Sequence, residues 1–260
     1  MDYLTQYYSS YDEQGRLGTR YGHVEYHTTM TYITRYLQPG MRVMEIGAGT
    51  GRYSHALAQM GYQVDAVELV EHNINQFKAL TQPGEHVTIT QGNACDLSAF
   101  ADNTYDITLL LGPMYHLYTE NEKQQALREA TRVTKPGGVV FVAYCMADPS
   151  IIQYGFIKGN IRMLLERNML DTATFTAHSE PEDLFELLRV SDICRLRACV
   201  DVDPLHLVAA DGYACHMRET LEAMPEEDYA IYLQYHLVTC ENAELIGWSH
   251  HTLDVFRKRG

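Results

Sequence analysis

The sequence predicts an α/β fold: a doubly wound, mostly parallel sheet with helical lid insertions above it. Three observations carry this. Short apolar runs alternate with helix-period segments from Met41 to Tyr144. The run Tyr105–Leu111 holds Ile107, Leu109, Leu110 and Leu111, too continuous for a half-exposed strand and typical of a parallel strand buried on both faces. A glycine-rich turn, Gly47-Ala48-Gly49-Thr50-Gly51, joins the first strand to the following helix, as in a βαβ unit.

Residues 1–19 read as a polar arm rich in tyrosine. A helix follows over Arg20–Leu37, with Tyr26, Met30, Ile33 and Leu37 on one face, and Pro39-Gly40 ends it. Met41–Ile46 is the first strand, and Tyr53, Ala56, Leu57 and Met60 mark the buried face of the next helix. Gln63–Leu69 and Val87–Gln91 are strands around a helix at Glu71–Leu80. Tyr105–Leu111 leads to a helix over Glu120–Thr134, stopped by Lys135-Pro136-Gly137-Gly138, and Val139–Tyr144 is the fifth strand.

The rhythm changes after Cys145. Ile151–Met169 and Pro181–Leu188 read as helices, the second starting near Ser179 or Glu180. Ile193–Val202 reads as a sixth strand, Gly212–Met224 and Glu226–Glu241 as helices, and His251–Lys258 as a closing strand. The chain thus divides into a cap arm and helix (1–40), a ligand-binding core (41–145), and lid insertions with the last strands of the sheet (146–260).

The bulk numbers narrow the function. With 260 residues, 46% of them hydrophobic, the chain has enough material for one large core. Its formal net charge of -14 opposes nucleic acid, whose binding rests on phosphate contacts. Six cysteines without a C-x-x-C pair read as the reduced thiols of a cytosolic protein. The twelve histidines include no H-E-x-x-H, so no metal site is expected. The opening MDYLTQYYSSYDEQ lacks the basic and apolar regions of a targeting signal. No apolar stretch approaches the roughly 20 residues that span a bilayer, so the expectation is a cytoplasmic protein with no membrane partner.

The strongest local signal is VMEIGAGTGRYS, Val43 to Ser54, where a strand runs through the glycine turn into a helix. Such a turn lets backbone N–H groups at a helix start approach a nucleotide-like ligand. The dinucleotide pattern G-x-G-x-x-G fails, because Arg52 and Ser54 stand where a third glycine is required. Glu68 lies 21 positions after Gly47, at the end of the second strand, where a carboxylate can accept both hydroxyls of an unphosphorylated ribose.

These motifs, with AVELV, QGNACDL, YDITLLLGPMYHL and RVTKPGGVVFVAY in that order, resemble the class I S-adenosylmethionine-dependent methyltransferases over Met41–Tyr144. The GPMYHL ending is similar to a subgroup of bacterial small-molecule methyltransferases. The resemblance implies a Rossmann-like, seven-stranded sheet, S-adenosylmethionine as donor and S-adenosylhomocysteine as product. It places Glu45 beside the methionine part of the donor, with Gly47, Ala48, Gly49 and Gly51 lining it and Tyr53 close by. Glu68 and Leu69 meet the ribose, Asn93 and Ala94 the adenine, and the carbonyls near Leu111 and Gly112 the ammonium group.

Methyl transfer needs alignment, exclusion of water, and a base only where the acceptor carries its proton at neutral pH. His116 and Tyr115 follow the fourth strand and are the catalytic candidates, with packing in the loop as the competing role for His116. Gly112-Pro113-Met114-Tyr115 stands where amine methyltransferases of the nucleobase and glutamine type carry Asn/Asp-Pro-Pro-Tyr, which argues against that substrate class. Tyr7, Tyr8 and Tyr21 are candidates to face the sulfonium, where an aromatic ring gains about 0.5–2 kcal/mol; packing of the arm on the core is the alternative. His206, Asp211, His236, His250 and His251 lie near the lid, and a solvated or capping role is the expectation for each.

The resulting expectation is a methyltransferase acting on a small molecule, with the acceptor atom (O, N, S or C) left open. The alternatives are a methyltransferase of tRNA or protein and a non-catalytic S-adenosylmethionine-binding protein.

Overall fold

A computed structural model describes residues 3–8 and 18–260 of the chain; stretch 9–17 of the tyrosine-rich arm, with Tyr11, lies outside the described residues. The strands are β1 (Arg42–Ile46), β2 (Gln63–Glu68), β3 (Val87–Gln91), β4 (Tyr105–Leu110), β5 (Thr134–Cys145), β6 (Val202–Ala209) and β7 (His251–Lys258). They form one seven-stranded sheet in the order β3-β2-β1-β4-β5-β7-β6. The first five are mutually parallel. β7 lies between β5 and β6, antiparallel to both. This is the doubly wound, Rossmann-like sheet that the alternation of runs predicts.

The pleat sends successive side chains to opposite faces, and each face has its own core. Val43, Ile107, Leu109, Phe141 and Val255 pack with Tyr32, Ile33 and Leu57 on one side. Met44, Ile46, Leu110, Val140, Val142 and Phe256 pack with Ala126, Leu127, Ile193 and Leu196 on the other. The Glu120–Val133 helix starts in a capping box, in which Thr119 Oγ accepts the Glu122 N–H at 3.2 Å and Glu122 Oε2 accepts the Thr119 N–H at 2.9 Å. Strand order reverses between β1 and β4, so their carboxyl ends open a crevice where α/β sheets hold ligands.

β5 starts five residues earlier than expected, at Thr134, and runs through Lys135-Pro136-Gly137-Gly138; the larger departures from the sequence reading fall after it. Ile193–Val202 is not a strand: Val190–Arg197 is a helix, with Ile193 and Leu196 buried one turn apart, and β6 starts only at Val202. Pro181–Leu188 is not a helix beyond the single 3₁₀ turn Pro181–Asp183. Its remaining backbone pairs elsewhere: the Glu186 N–H donates to Tyr115 O at 2.8 Å and the Leu188 N–H to Cys145 O at 2.9 Å. Ile151–Met169 is a π-helical turn over Ile151–Ile157 and a separate helix over Ile161–Glu166. Gly212–Met224 likewise shrinks to a 3₁₀ turn at Ala214–His216 and a helix at Arg218–Ala223. The helices Arg20–Tyr36 and Glu226–Thr239 and strand β7 lie where the periodicity puts them. Among the described residues no helix is long and apolar enough to cross a membrane.

Candidate active site

Two cavities lie at the carboxyl ends of the parallel strands. The first, of about 300 Å³, sits over the β1–β4 crevice and is lined by Glu45, Gly47, Ala48, Gly49, Tyr53, Glu68, Leu69, Asn93, Ala94, Leu111 and Gly112, with Tyr115 and His116 at one side. The second, of about 650 Å³, lies under the lid, with Tyr7, Tyr21, Ile151, Met163, Leu170, Phe185 and Arg218 in its wall. Tyr8, Tyr115 and His251 line both.

The glycine turn is tied to the neighbouring strand. The Gly47 and Ala48 N–H groups both donate to Val67 O, at 2.8 and 3.1 Å. At Gly47 a Cβ would stand 2.5 Å from Pro113 Cδ, so the absence of a side chain lets the loop after β4 close against the turn. Glu68 reaches back from the end of β2. Its Oε2 accepts the Gly49 N–H at 2.8 Å, and its Oε1 accepts the Val70 N–H at 2.9 Å and Asn73 Nδ2 at 3.3 Å. The carboxylate is therefore fixed at the cavity wall by the protein's own donors.

Glu45 is buried, and its carboxyl accepts the Ser54 N–H at 2.9 Å and the Ser54 hydroxyl. Burial pushes its pKa up to about 8, against the lowering effect of the Ser54 donors and with a further push from Glu68. An acid whose folded pKa lies above its unfolded value is stable below the unfolded pKa and loses stability as pH rises toward the folded one. Replacing Glu45 by Gln, which keeps an acceptor for Ser54, should therefore stabilise the ligand-free protein relative to wild type. The advantage should be small at pH 4.5 and grow by about 1.4 kcal/mol per pH unit toward pH 8. Urea titrations at three pH values check this, and a gap that shrinks with pH refutes it.

His116 is pinned on both ring nitrogens. Leu184 O lies 2.7 Å from Nδ1, and a carbonyl only accepts, so Nδ1 carries the hydrogen; Nε2 then accepts from Tyr8 OH at 2.9 Å. Burial pushes its pKa down to about 4, and the ring is neutral at pH 7. Tyr115 OH donates to Leu111 O at 2.9 Å and occupies one lone pair of that carbonyl. Of the other residues expected near the donor, Gly51 does not line the first cavity: it caps the Arg52–Gln59 helix at φ +89°. Tyr7 and Tyr21 stand in the second cavity, where Arg218 lies 4.5 Å from the Tyr21 ring centroid.

The expectation of solvated or capping roles near the lid fails for several residues. Asp211 and His236 are buried. His206 lies 2.7 Å from Tyr36 OH and 2.8 Å from Glu241, away from both cavities. His251, the first residue of β7, has its Nδ1 2.8 Å from Asp211 Oδ2 and 3.4 Å from Glu25 Oε2. His250 Nε2 lies 3.1 Å from Ser150 Oγ. The Asp211–His251 pair escaped sequence reading because its members are 40 residues apart and no spacing rule joins them.

Residues 44–142 match the family model described as a methyltransferase domain. The demethylmenaquinone methyltransferase of Renibacterium salmoninarum is 37% identical over 106 residues, which cover 40% of this chain and 41% of that protein. The ubiquinone biosynthesis O-methyltransferase of Stutzerimonas stutzeri is 27% identical over 143 residues, 54% of this chain and 60% of its own. The chain therefore spans about two-fifths to three-fifths of these relatives' lengths. A solved SAM-dependent methyltransferase from Methanosarcina mazei has the same fold, with a TM-score of 0.59 at 18% identity over 88% of this chain and 97% of that one.

Proposed function

We propose that this chain, whose residues 44–142 carry a class I methyltransferase domain, moves a methyl group from S-adenosylmethionine to a small molecule held in the second cavity. The observation that carries the reading is the meeting of the two cavities at Tyr8, Tyr115 and His251. One cavity has the Glu68 carboxylate and the glycine turn of a ribose-binding site. The other is larger and combines aromatic and apolar side chains with polar groups such as Gln153, Arg167, Asp183 and Arg218, as small-molecule sites do.

The donor fits the first cavity. Glu68 keeps acceptor capacity for the ribose hydroxyls beyond its bonds to Gly49, Val70 and Asn73, and the turn presents backbone rather than side chains. Asn93 and Ala94 stand where the adenine would lie, and Glu45 and the Leu111 carbonyl where the methionine part would lie. When bound, the donor supplies an already activated methyl on a sulfonium. The chain's share is to hold the acceptor in line with that carbon and keep water out. Tyr8 and His116 help exclude water, because their hydrogen bond ties the Tyr3–Tyr8 helix across the mouth of the first cavity.

A small acceptor is supported by the lid-covered second cavity, by relatives named for demethylmenaquinone and ubiquinone, and by a net charge of -14 that repels nucleic acid. All six thiols are free, which supports a reducing compartment such as the cytoplasm. The test is transfer of labelled methyl from the donor in a cell extract. Label should appear in the small-metabolite fraction. Label only in the protein or RNA pellet, or calorimetry without heat on adding S-adenosylhomocysteine, would refute the reading.

A further inference from the structure

The His251 site is built as a proton acceptor. Its Nδ1 faces Asp211 Oδ2 at 2.8 Å, and a carboxylate only accepts, so Nδ1 carries the hydrogen. Asp211 is itself fixed: Oδ1 accepts the His251 backbone N–H at 3.0 Å and lies 2.7 Å from Ser249 Oγ, which in turn accepts the Gly212 N–H at 2.8 Å. Among the described residues no hydrogen-bond partner meets His251 Nε2, and that atom is not sealed in the protein interior. The ring lies in the wall that separates donor cavity from lid cavity. A carboxylate orients one nitrogen and the other is left for chemistry, the arrangement of a base and its orienting acid.

Resting on the function proposed above, we propose that His251, oriented by Asp211, takes the proton of a hydroxyl-bearing acceptor, so that the methyl group is delivered to oxygen. A hydroxyl keeps its proton at neutral pH and needs a base, whereas a free amine does not. Gly112 also offers no side-chain oxygen to a planar amine. Tyr7, Tyr115 and Phe185 form a joined set of rings in the lid cavity, with centroids 5.8 and 6.1 Å apart, a wall suited to an aromatic hydroxyl compound. In the step, the acceptor's O–H proton passes to Nε2 and an oxygen lone pair forms the bond to the methyl carbon. The C–S bonding pair stays on sulfur. The positive charge gained by the imidazole faces Asp211 and Glu25.

Four groups face this ring: Glu25 from the Arg20–Tyr36 helix, Cys145 from the end of β5, Asp211 after β6, and neighbouring His250. Burial alone would lower the pKa of His251, but Glu25, Cys145 and Asp211 outweigh it and hold the ring well above the ordinary histidine range. Burial pushes His250 down to about 4, so it adds no charge at neutral pH. The neutral form of His251, the one that can accept a proton, therefore becomes more abundant as pH rises, and transfer should accelerate with it.

The test uses the full chain, labelled with ¹⁵N-histidine and saturated with S-adenosylhomocysteine. The ring spectrum of His251 should show the Nδ1–H form, with Nε2 titrating above the ordinary value, and Asp211→Asn should lower that midpoint by at least one pH unit. Adding 4-nitrocatechol as a chromophoric hydroxyl probe should bring up its ionised band below the pH at which the free compound ionises. His251→Gln, likewise saturated with S-adenosylhomocysteine, should abolish that band. A neutral ring protonated on Nε2 instead of Nδ1, a band that survives His251→Gln, or no band in wild type overturns the assignment. So does a band erased by EDTA and restored by Mg²⁺, which would make the cluster a metal centre. Calorimetry on the same sample separates the two levels: binding of S-adenosylhomocysteine with a failed histidine test leaves the methyltransferase reading standing, and absent binding removes both.

Discussion

Glu68→Ala is expected to weaken S-adenosylhomocysteine binding by about 30-fold to 1,000-fold, roughly 2–4 kcal/mol. The carboxylate offers about four lone-pair positions. The chain uses three contacts, to Gly49, Val70 and Asn73, and these aim the group at the cavity. Removing it deletes the charge-assisted bonds to the ribose that the proposed function requires and leaves the Gly49 and Val70 N–H groups without their acceptor. Glu68→Gln keeps the shape but turns an amide toward N–H donors, so it should lose affinity too, by less than Ala. Calorimetric titration with S-adenosylhomocysteine gives the numbers. A loss below threefold for the alanine variant would mean that the sugar is held elsewhere and that the first cavity has been misread.

The second large effect is on stability. Gly51 caps the Arg52–Gln59 helix at φ +89°, where an L side chain is strained. A Cβ built there would stand 2.4 Å from two Phe77 ring carbons and 2.8 Å from His55 Cδ2. Phe77 is buried against Ala48 and Ala66 and cannot retreat cheaply. Overpacking of this kind costs about 1–3 kcal/mol, and the left-handed backbone adds about 1. Gly51→Ala should therefore lower unfolding free energy by about 2–4 kcal/mol, read as a shifted urea midpoint at unchanged slope. A midpoint within error of wild type would show that the turn and the Glu71–Leu80 helix are packed more loosely than this.

The centre of the sheet was legible because β1, β2, β4 and the second half of β5 are buried on both faces, and short continuous apolar runs such as Ile107–Leu111, bounded by turn signals, fit such strands. The grouping of residues around the first cavity was legible for a different reason. Glu45, the glycine turn and Glu68 sit on consecutive elements at spacings that the crossover geometry fixes. Neither condition holds after Cys145. The Val190–Arg197 helix buries only Ile193 and Leu196, and its apolar residues, read with those that follow, also satisfy a strand pattern. Pro181–Leu188 has a helix-start signal, but its Glu186 and Leu188 amides donate to the carbonyls of Tyr115 and Cys145, and its Leu188 carbonyl accepts from the Ala147 N–H, all far away in sequence. The same remoteness hid the Asp211–His251 pair and showed His116 as an open candidate, when Leu184 O and Tyr8 OH occupy both its nitrogens. Local pattern reports what a segment does with its own neighbours; these residues are defined by contacts across 40 to 108 positions.

β7 runs antiparallel to β5, so its first residue lies beside the last residue of β5. Cys145 and His251 are register partners, so the chain departs from the sheet and returns to it at one doorway. Apart from Tyr7, Tyr8, Tyr21 and Tyr115, every residue that lines the larger chamber lies between these two adjacent posts or is one of them. Insertions, deletions and exchanged segments there leave the posts in place and the sheet undisturbed. Most of the wall of the larger chamber can therefore be rewritten while the glycine turn and Glu68 of the smaller one stay as they are.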